Sequence, residues 1–362
     1  MDERARRWAT ALLSVLATLA AGPASVADFF AGKRISIVVN FDAGGPADIE
    51  ARLIARHIAK HIPGNPVVIV QNMGGAGGMV GARWLGEKAN RDGTVAGYLT
   101  GAPQRYALNP EKFATDLRTY QYIAYMPNGR IHFVRTDLAP GIKTGLDVLK
   151  AEGVVAGGLS SDSSKDMAMR LVLDLLGVKY KYVTGYNSTA RAMLAFQRGE
   201  INLWSDSPSI YTNSVEPTLV RTGQAVPICY DPFYRDGRYV VPKQMKTIPI
   251  VSCPDLLRQT KGAMPTGEAA DAYLSLLGFA GIIYRTLVMP PEVPKESVDA
   301  LRAAMRRLND DADYQADAAR TIGESPEYLA GDEINAEAVE LMTIAPAMKK
   351  YLNDYAERAA GK

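Results

Sequence analysis

The sequence predicts an α/β protein of two units, each built on a parallel sheet, facing each other across a cleft. Three observations lead there. Short β-rich apolar runs alternate with segments of helical periodicity. Glycine- or serine-rich turns follow those runs, and the same grammar starts afresh near His132. The chain has 362 residues, 47% hydrophobic and 22% charged, with Gly 32 and Pro 21. That is ordinary globular composition, long enough for two domains that each bury a core. Lys+Arg 41 against Asp+Glu 39 leaves a net charge of +2, too little to hold a nucleic-acid backbone, so no nucleic-acid partner is expected.

The N-terminus reads as an address. Arg4, Arg6 and Arg7 precede an apolar run from Trp8 to Ala21, and Ser25-Val26-Ala27 closes it with small residues. This is the pattern of a cleaved secretory signal, residues 1–27, and the run is shorter than the ~20 residues a spanning helix needs. The expected product is exported. Cys229 and Cys253 are the only cysteines; an exported protein can oxidise them, but sequence leaves a disulfide and two buried thiols both open.

In the first unit, Ile35 to Val39 reads as a buried strand and Asp42-Ala43-Gly44-Gly45-Pro46 breaks it. Ile49, Leu53, Ile58 and Ile62 then follow near-helical spacing, and Pro46 suits the first turn, where its missing N–H costs nothing. Val67 to Val70 is a second strand, followed by the glycines of 74–78 and a helix from about Val80 to Ala89; Val95 to Leu99 is a third strand. In the second unit, Val154 to Gly158 runs into Ser160-Ser161-Asp162-Ser163-Ser164. A helix follows with Met167, Leu171, Leu175 and Leu176 on its apolar side. Tyr180 to Val183 is the next strand, Tyr186-Asn187-Ser188 opens a helix reaching Arg198, and Ile201 to Trp204 is a further strand. Residues 229–264 are turn-rich, and Ser297 to Leu308 is a helix beyond Pro290-Pro291.

Catalytic readings find little to stand on. The segment Gly75 to Gly81 has the spacing G-x-G-x-x-x-G, and Val80 stands where a dinucleotide fingerprint needs its third glycine. No G-x-S-x-G elbow or Walker sequence is present. His57 and His61 lie four apart on one helix, but Arg56 and Lys60 beside them repel a cation, so a solvated face is expected rather than a metal site. His132 sits in an apolar stretch and reads as a core residue. What remains is three turns, 42–46, 72–78 and 158–164, at the carboxyl ends of strands, where open α/β sheets bind ligands. Ser163 or Ser164 is the expected helix N-cap. Two units presenting such turns to one another form a cleft suited to hinge closure around a small solute.

These residues resemble a known family. Val38 to Asp48, with Ala51-Arg52 beyond, is similar to the opening of the Bug-type (TctC-like) extracytoplasmic solute receptors of tripartite tricarboxylate transporters. Asn72 to Gly78, with Gly81 and then Asp92-Gly93, resembles that family's second signature. Gly158 to Ser164, Tyr186-Asn187-Ser188, Gly199 to Asn202 and Pro290 to Pro294 stand in the places of its later loops. The likeness covers nearly the whole chain after the signal.

The resemblance implies a two-domain periplasmic-binding-protein (Venus-flytrap) fold with the ligand cleft between the domains. It implies binding without catalysis, no cofactor and no metal. Residues 28–132 and 251–362 would form the first domain and 133–250 the second. The expected partners are a small organic anion, most simply a carboxylate, and membrane subunits of the transporter, served by a monomer in the periplasm. Carried over, Ala43, Gly44, Gly45 and Ala47 would contact the ligand from the first domain. Ser160, Ser161, Ser163 and Ser164 would do so from the second, with Tyr186 and Asn187 beside them. This chain also departs from the pattern. Ala47 stands where many members carry a hydroxyl, Lys165-Asp166 replaces a serine-histidine pair, and Asp42 puts a carboxylate beside a site meant for one. If Asp42 points into the cleft, an amide, an amino acid or a larger neutral group becomes an alternative ligand. Two other functions stay open at this stage, a secreted enzyme with an unrecognised site and a receptor that presents its ligand to a membrane sensor.

Overall fold

The computed structural model describes residues 29–127, 129–186, 189–323 and 325–360. The expected signal, 1–27, lies outside them. Along the chain the elements are β1 Arg34–Val39, α1 Pro46–Ile58, β2 Val67–Asn72, α2 Met79–Glu87, β3 Val95–Thr100, α3 Ala102–Leu108 and β4 Gln121–Met126. Then follow β5 Arg130–Arg135, β6 Val154–Gly157, α4 Ser164–Leu176, β7 Tyr180–Val183, α5 Thr189–Arg198 and β8 Leu203–Asp206. After the helical turns of 208–220 come β9 Ala225–Asp231, the hairpin β10 Phe233–Arg235 and β11 Arg238–Val240, and α6 Cys253–Lys261. The chain closes with α7 Glu268–Ile282, β12 Arg285–Met289, α8 Lys295–Asn309, α9 Ala312–Ile322, α10 Ile334–Met342 and α11 Pro346–Ala359.

Two five-stranded sheets result, ordered β2-β1-β3-β12-β4 and β7-β6-β8-β5-β9. They are mixed, which corrects the expectation of purely parallel sheets. The β1–β2 and β1–β3 pairs are parallel, as are β6–β7 and β6–β8. However, β12 is antiparallel to β3 and β4, and β5 is antiparallel to β8 and β9. The reason is where the chain changes sheets. β4 ends at Met126 and β5 begins at Arg130, and the register sets Ile131 opposite Asp206, the last residue of β8. Likewise β12 enters with Arg285 opposite Thr100, the last residue of β3. A strand that enters at the carboxyl end of its neighbours must run against them.

In the first unit, α1 lays Ala47, Ala51, Leu53, Ile54 and Ile58 into the core, each large aliphatic side chain worth about 1.5–3 kcal/mol of burial. Glu50 is buried on the same helix, where apolar periodicity does not predict it. It accepts a hydrogen bond from Tyr98 and pairs with Arg285 of β12. Burial raises its carboxyl above the ordinary value, and Arg285 and Tyr98 oppose that rise. In the second unit, α4 is buried almost throughout rather than along one stripe, because α7 packs over it as well as the sheet. Leu175, expected in the core, is only partly buried. Arg170 of α4 lies between the rings of Tyr182 and Tyr355, 4.7 and 4.6 Å from their centres, so the last helix is clasped to the second unit.

The two cysteines form a disulfide that ties the β9 residue Cys229 to the first residue of α6, Cys253, across 24 positions. His132 stands opposite Cys229 in the β5–β9 register and faces Asp231, Nε2 to Oδ2 3.2 Å. It is a core residue, as its surroundings in the sequence suggest. His57 and His61 do not form a solvated face. Each takes its own carboxylate at the start or middle of α9: His57 sits 2.9 Å from Asp317, and His61 2.7 Å from Asp311. Arg56 and Lys60 join the same two acids, so a polar seam fastens α1 to α9.

Two predictions follow from this frame. Replacing Cys229 and Cys253 together with serine lowers unfolding stability by about 3 kcal/mol, measured by urea denaturation, because the unfolded chain regains the loop entropy. The second concerns acid. His57 and Arg56 hold the Asp317 carboxyl well below its usual value. At Asp311, burial opposes the shift but Lys60 and His61 outweigh it and lower the carboxyl too. Both groups are depressed in the folded state. The stability they contribute is therefore complete above the unfolded carboxylate value of about 4 and is lost as pH falls through the native values. Denaturation midpoints taken from about pH 6 down to about pH 2 should fall less steeply in an Asp311→Asn, Asp317→Asn double variant than in the parent.

Candidate functional site

The loops at the carboxyl ends of the two sheets meet around a cavity of about 50 Å³. Phe41, Gly77, Thr100, Gly101, Gln104 and Arg105 line it from the first unit. Leu159, Asp162, Ser163 and Ser164 line it from the second, and Tyr284, just before β12, completes the wall. This is the position expected for a ligand between two α/β units.

One buried amide shapes the first-unit wall. Asn40, the residue after β1, donates from Nδ2 to the carbonyls of Gly78 (3.0 Å) and Thr100 (3.1 Å) and accepts from the Thr100 N–H at 2.9 Å. It thereby joins the ends of β1 and β3 to the start of α2. Glycine is required around it. Gly78 has φ +91, and a Cβ there would lie 2.5 Å from Asn40 Nδ2 and 2.9 Å from the Phe41 ring; at Gly81 it would lie 2.7 Å from the Met73 carbonyl. The second glycine turn is thus a packing device, which a nucleotide-fingerprint reading misses.

The first turn satisfies itself. Asp48, at the third position of α1, accepts from the Gly44 N–H (2.8 Å), Asn72 Nδ2 (2.9 Å) and Arg52 Nε (3.0 Å). Burial alone would raise its carboxyl, but these partners outweigh it and hold the group below its ordinary value. So the Gly44 N–H, expected to meet a ligand, already has an acceptor. Asp42, Ala43 and Gly44 are exposed, Ala47 is buried under the helix, and Gly45 is the N-cap of α1. None of the five lines the cavity. Asp42 lies against Gly74, where a Cβ would come within 2.0 Å of its Oδ1.

The serine turn divides into two halves. Ser160 is spent on the turn itself: its N–H donates to Asp166 (3.1 Å) and its hydroxyl to Asp162 (2.6 Å). The Ser161 carbonyl accepts from Arg170 at 2.6 Å. Ser163 is the N-cap of α4, as expected, yet its hydroxyl makes no capping bond. Ser163 and Ser164 both face the cavity, at the end of a helix whose first N–H groups have no intrahelical acceptor. Lys165 turns away. It lies 3.0 Å from Asp166, donates to the Ser205 carbonyl and sits 3.9 Å above the Trp204 ring. Tyr186 packs edge-on against Trp204 at 6.2 Å and gives its N–H to the Gly158 carbonyl. Asn187 lies outside the described residues.

Sequence reasoning missed Thr100, Gln104, Arg105, Asp162 and Tyr284. Gln104 is 2% exposed, and among the described residues neither its Nε2 nor its Oε1 has a partner; the same holds for the hydroxyl of buried Thr100. A buried amide left unpaired is costly, and here it lies at the cavity, so these atoms suit a polar guest. The one usable signal was the position of Thr100 to Arg105 directly after the third strand.

Asn40→Ala should cost about 2–3 kcal/mol in unfolding free energy, since it strands the Thr100 N–H and two carbonyls out of water. Chemical denaturation measures it, and Asn40→Asp should not restore the parent value because it loses the donor.

No family model matches the chain. A protein of Agrobacterium vitis described as a UPF0065 protein in the TAR-I ttuE-ttuC' intergenic region is 30% identical over 211 residues, 56% of this chain. The match spans 59% of that relative's length. Among solved structures, a TctC solute binding protein from Polaromonas aligns at TM-score 0.58 with 21% identity, covering 89% of this chain and 98% of its own. The periplasmic binding protein BugD aligns at 0.57 with 19% identity over 91% and 98%. MatC from Rhodopseudomonas palustris, solved with bound malate, aligns at 0.59 with 19% identity over 89% and 99%. The chain therefore has the two-sheet fold of the TctC- and Bug-type solute-binding proteins, and the resemblance read from its turns is borne out in the fold.

Proposed function

We propose that this chain is a solute-binding receptor of the Bug type. It takes up a small organic carboxylate in the cleft between its two units and passes it to membrane subunits of a tripartite tricarboxylate-type transporter. What carries the reading is the cavity at the carboxyl ends of both sheets. Its second-unit wall is a helix N-terminus with Ser163 and Ser164, and its first-unit wall holds buried polar atoms of Thr100 and Gln104 without a partner among the described residues. Such donors replace the water a carboxylate loses on entry. At about 50 Å³ the space holds little more than a few waters, so a ligand enters as the units part and is enclosed as they close. The division into 28–132 with 251–362 and 133–250, a monomeric state, a periplasmic location and the absence of catalysis belong to the same proposal. The disulfide agrees with export to an oxidising compartment, and MatC's malate names a first ligand class to try.

A thermal-shift screen of the protein lacking residues 1–27 tests it, with mono-, di- and hydroxycarboxylates against amino acids and amides. A ligand at 100 times its dissociation constant adds about 2.7 kcal/mol to stability. A shift confined to carboxylates, with no product formed from them, is the expected result. Stabilisation by amides or amino acids alone sinks the carboxylate reading, and turnover of a bound compound replaces the receptor with an enzyme.

A further inference from the structure

Resting on the carboxylate-receptor reading, we propose that Arg105 and Gln104 are the specificity-determining pair of this cleft. They read a carboxylate that also carries a hydrogen-bond donor, and Asp162 occupies Arg105 until the ligand's carboxylate replaces it. Among the described residues that line the cavity, Arg105 is the only cation. Its guanidinium lies over Gly77, whose φ of +63 and missing side chain make room for it: a Cβ there would sit 2.9 Å from Nη2. The second glycine turn therefore seats a charge at the cleft.

Opposite, Asp162 reaches from the serine turn of the second unit to 3.8 Å from Arg105 Nη1. That distance is an ion pair without a hydrogen bond, and the Asp162 side chain is 45% exposed. Such a contact is weak and easily exchanged. The other oxygen of Asp162 accepts from the Ser160 hydroxyl at 2.6 Å, so the carboxylate is presented rather than loose. A carboxylate of the chain itself thus stands where an incoming carboxylate would pair with Arg105 directly.

Gln104, the neighbour of Arg105 on α3, sets the second requirement. Its amide is buried with both ends unpartnered among the described residues, and it offers one acceptor and one donor group to whatever fills the cavity. A carboxylate satisfies the N–H side only. A ligand that adds a hydroxyl or N–H satisfies the oxygen too, and a site built around such a group penalises the analogue lacking it.

Calorimetric titration with malate and succinate, which differ by one hydroxyl, tests this on the parent and three variants. The parent should bind malate at least about tenfold more tightly than succinate. Gln104→Met should bring that ratio toward one, weakening malate, which uses both ends of the amide, more than succinate, which uses one. Arg105→Gln should weaken both acids about tenfold or more, as loss of a charged hydrogen bond predicts. Asp162→Asn keeps an acceptor for Ser160 and removes the competing charge, so it should tighten both about two- to fivefold. Matching circular dichroism and melting curves exclude misfolding as the cause. If the acids bind but Arg105→Gln and Asp162→Asn leave both affinities unchanged, or Gln104→Met keeps the malate preference, the assignment falls while the receptor reading survives. Binding of neither acid by the parent overturns the assignment, and the screen of other carboxylates then decides the receptor reading separately.

Discussion

The cleft depends on one fully used amide. Asn40 spends two donated hydrogen bonds and one accepted bond on backbone groups of Gly78 and Thr100, so three chain segments far apart in sequence are fixed to a single buried group. Everything on the first-unit wall is set from those segments. Phe41 follows Asn40, Gly77 precedes Gly78, and Gln104 and Arg105 sit one turn beyond Thr100. An amide suits the task because it presents a donor and an acceptor in one plane, which backbone groups from different loops can meet at once.

The second constraint is the place where the chain crosses between sheets. Both β5 and β12 enter their sheets at the cleft end, and this turns them antiparallel to their neighbours. Arg130 and Tyr284, the residues at these entries, lie together, with the guanidinium 4.9 Å from the ring centre. Of the two, Tyr284 lines the cavity, so one crossing forms part of its wall. Farther out, the disulfide, the α4–α7 packing and the Arg170 clasp stiffen the second unit and its junction with the C-terminal helices.

Much of the frame was legible in the sequence because it rests on local rules. β1, β2, β3, β6 and β7 are short β-rich runs between breakers, and Pro46 and Ser163 stand where helix starts require them. Strand direction was not legible, since nothing in the residues of β5 or β12 records which end of the sheet they enter. The same limit governed the site. Gly44 looked like a free donor because the sequence does not say that Asp48 folds back on it. Gln104 drew no reading at all, because its burial follows from the packing of α3 against α10 and α11, far along the chain. Turn composition locates a ligand region, but which atoms remain uncommitted there is decided only after long-range partners have been assigned.

That the first turn closes on itself through Asp48 has a consequence for how such a protein diversifies. A turn whose donors are internally committed acts as a chassis: it holds its shape whatever solute is present. On the proposed reading, recognition falls to side chains of Thr100 at the end of β3, Gln104 and Arg105 on α3 and Asp162 in the serine turn, outside the Asn40 and Asp48 hydrogen-bond networks apart from the backbone of Thr100. Exchanging those side chains leaves the glycine frame intact. Chains can therefore share the glycine turns and their architecture while their solutes drift apart, one side chain at a time.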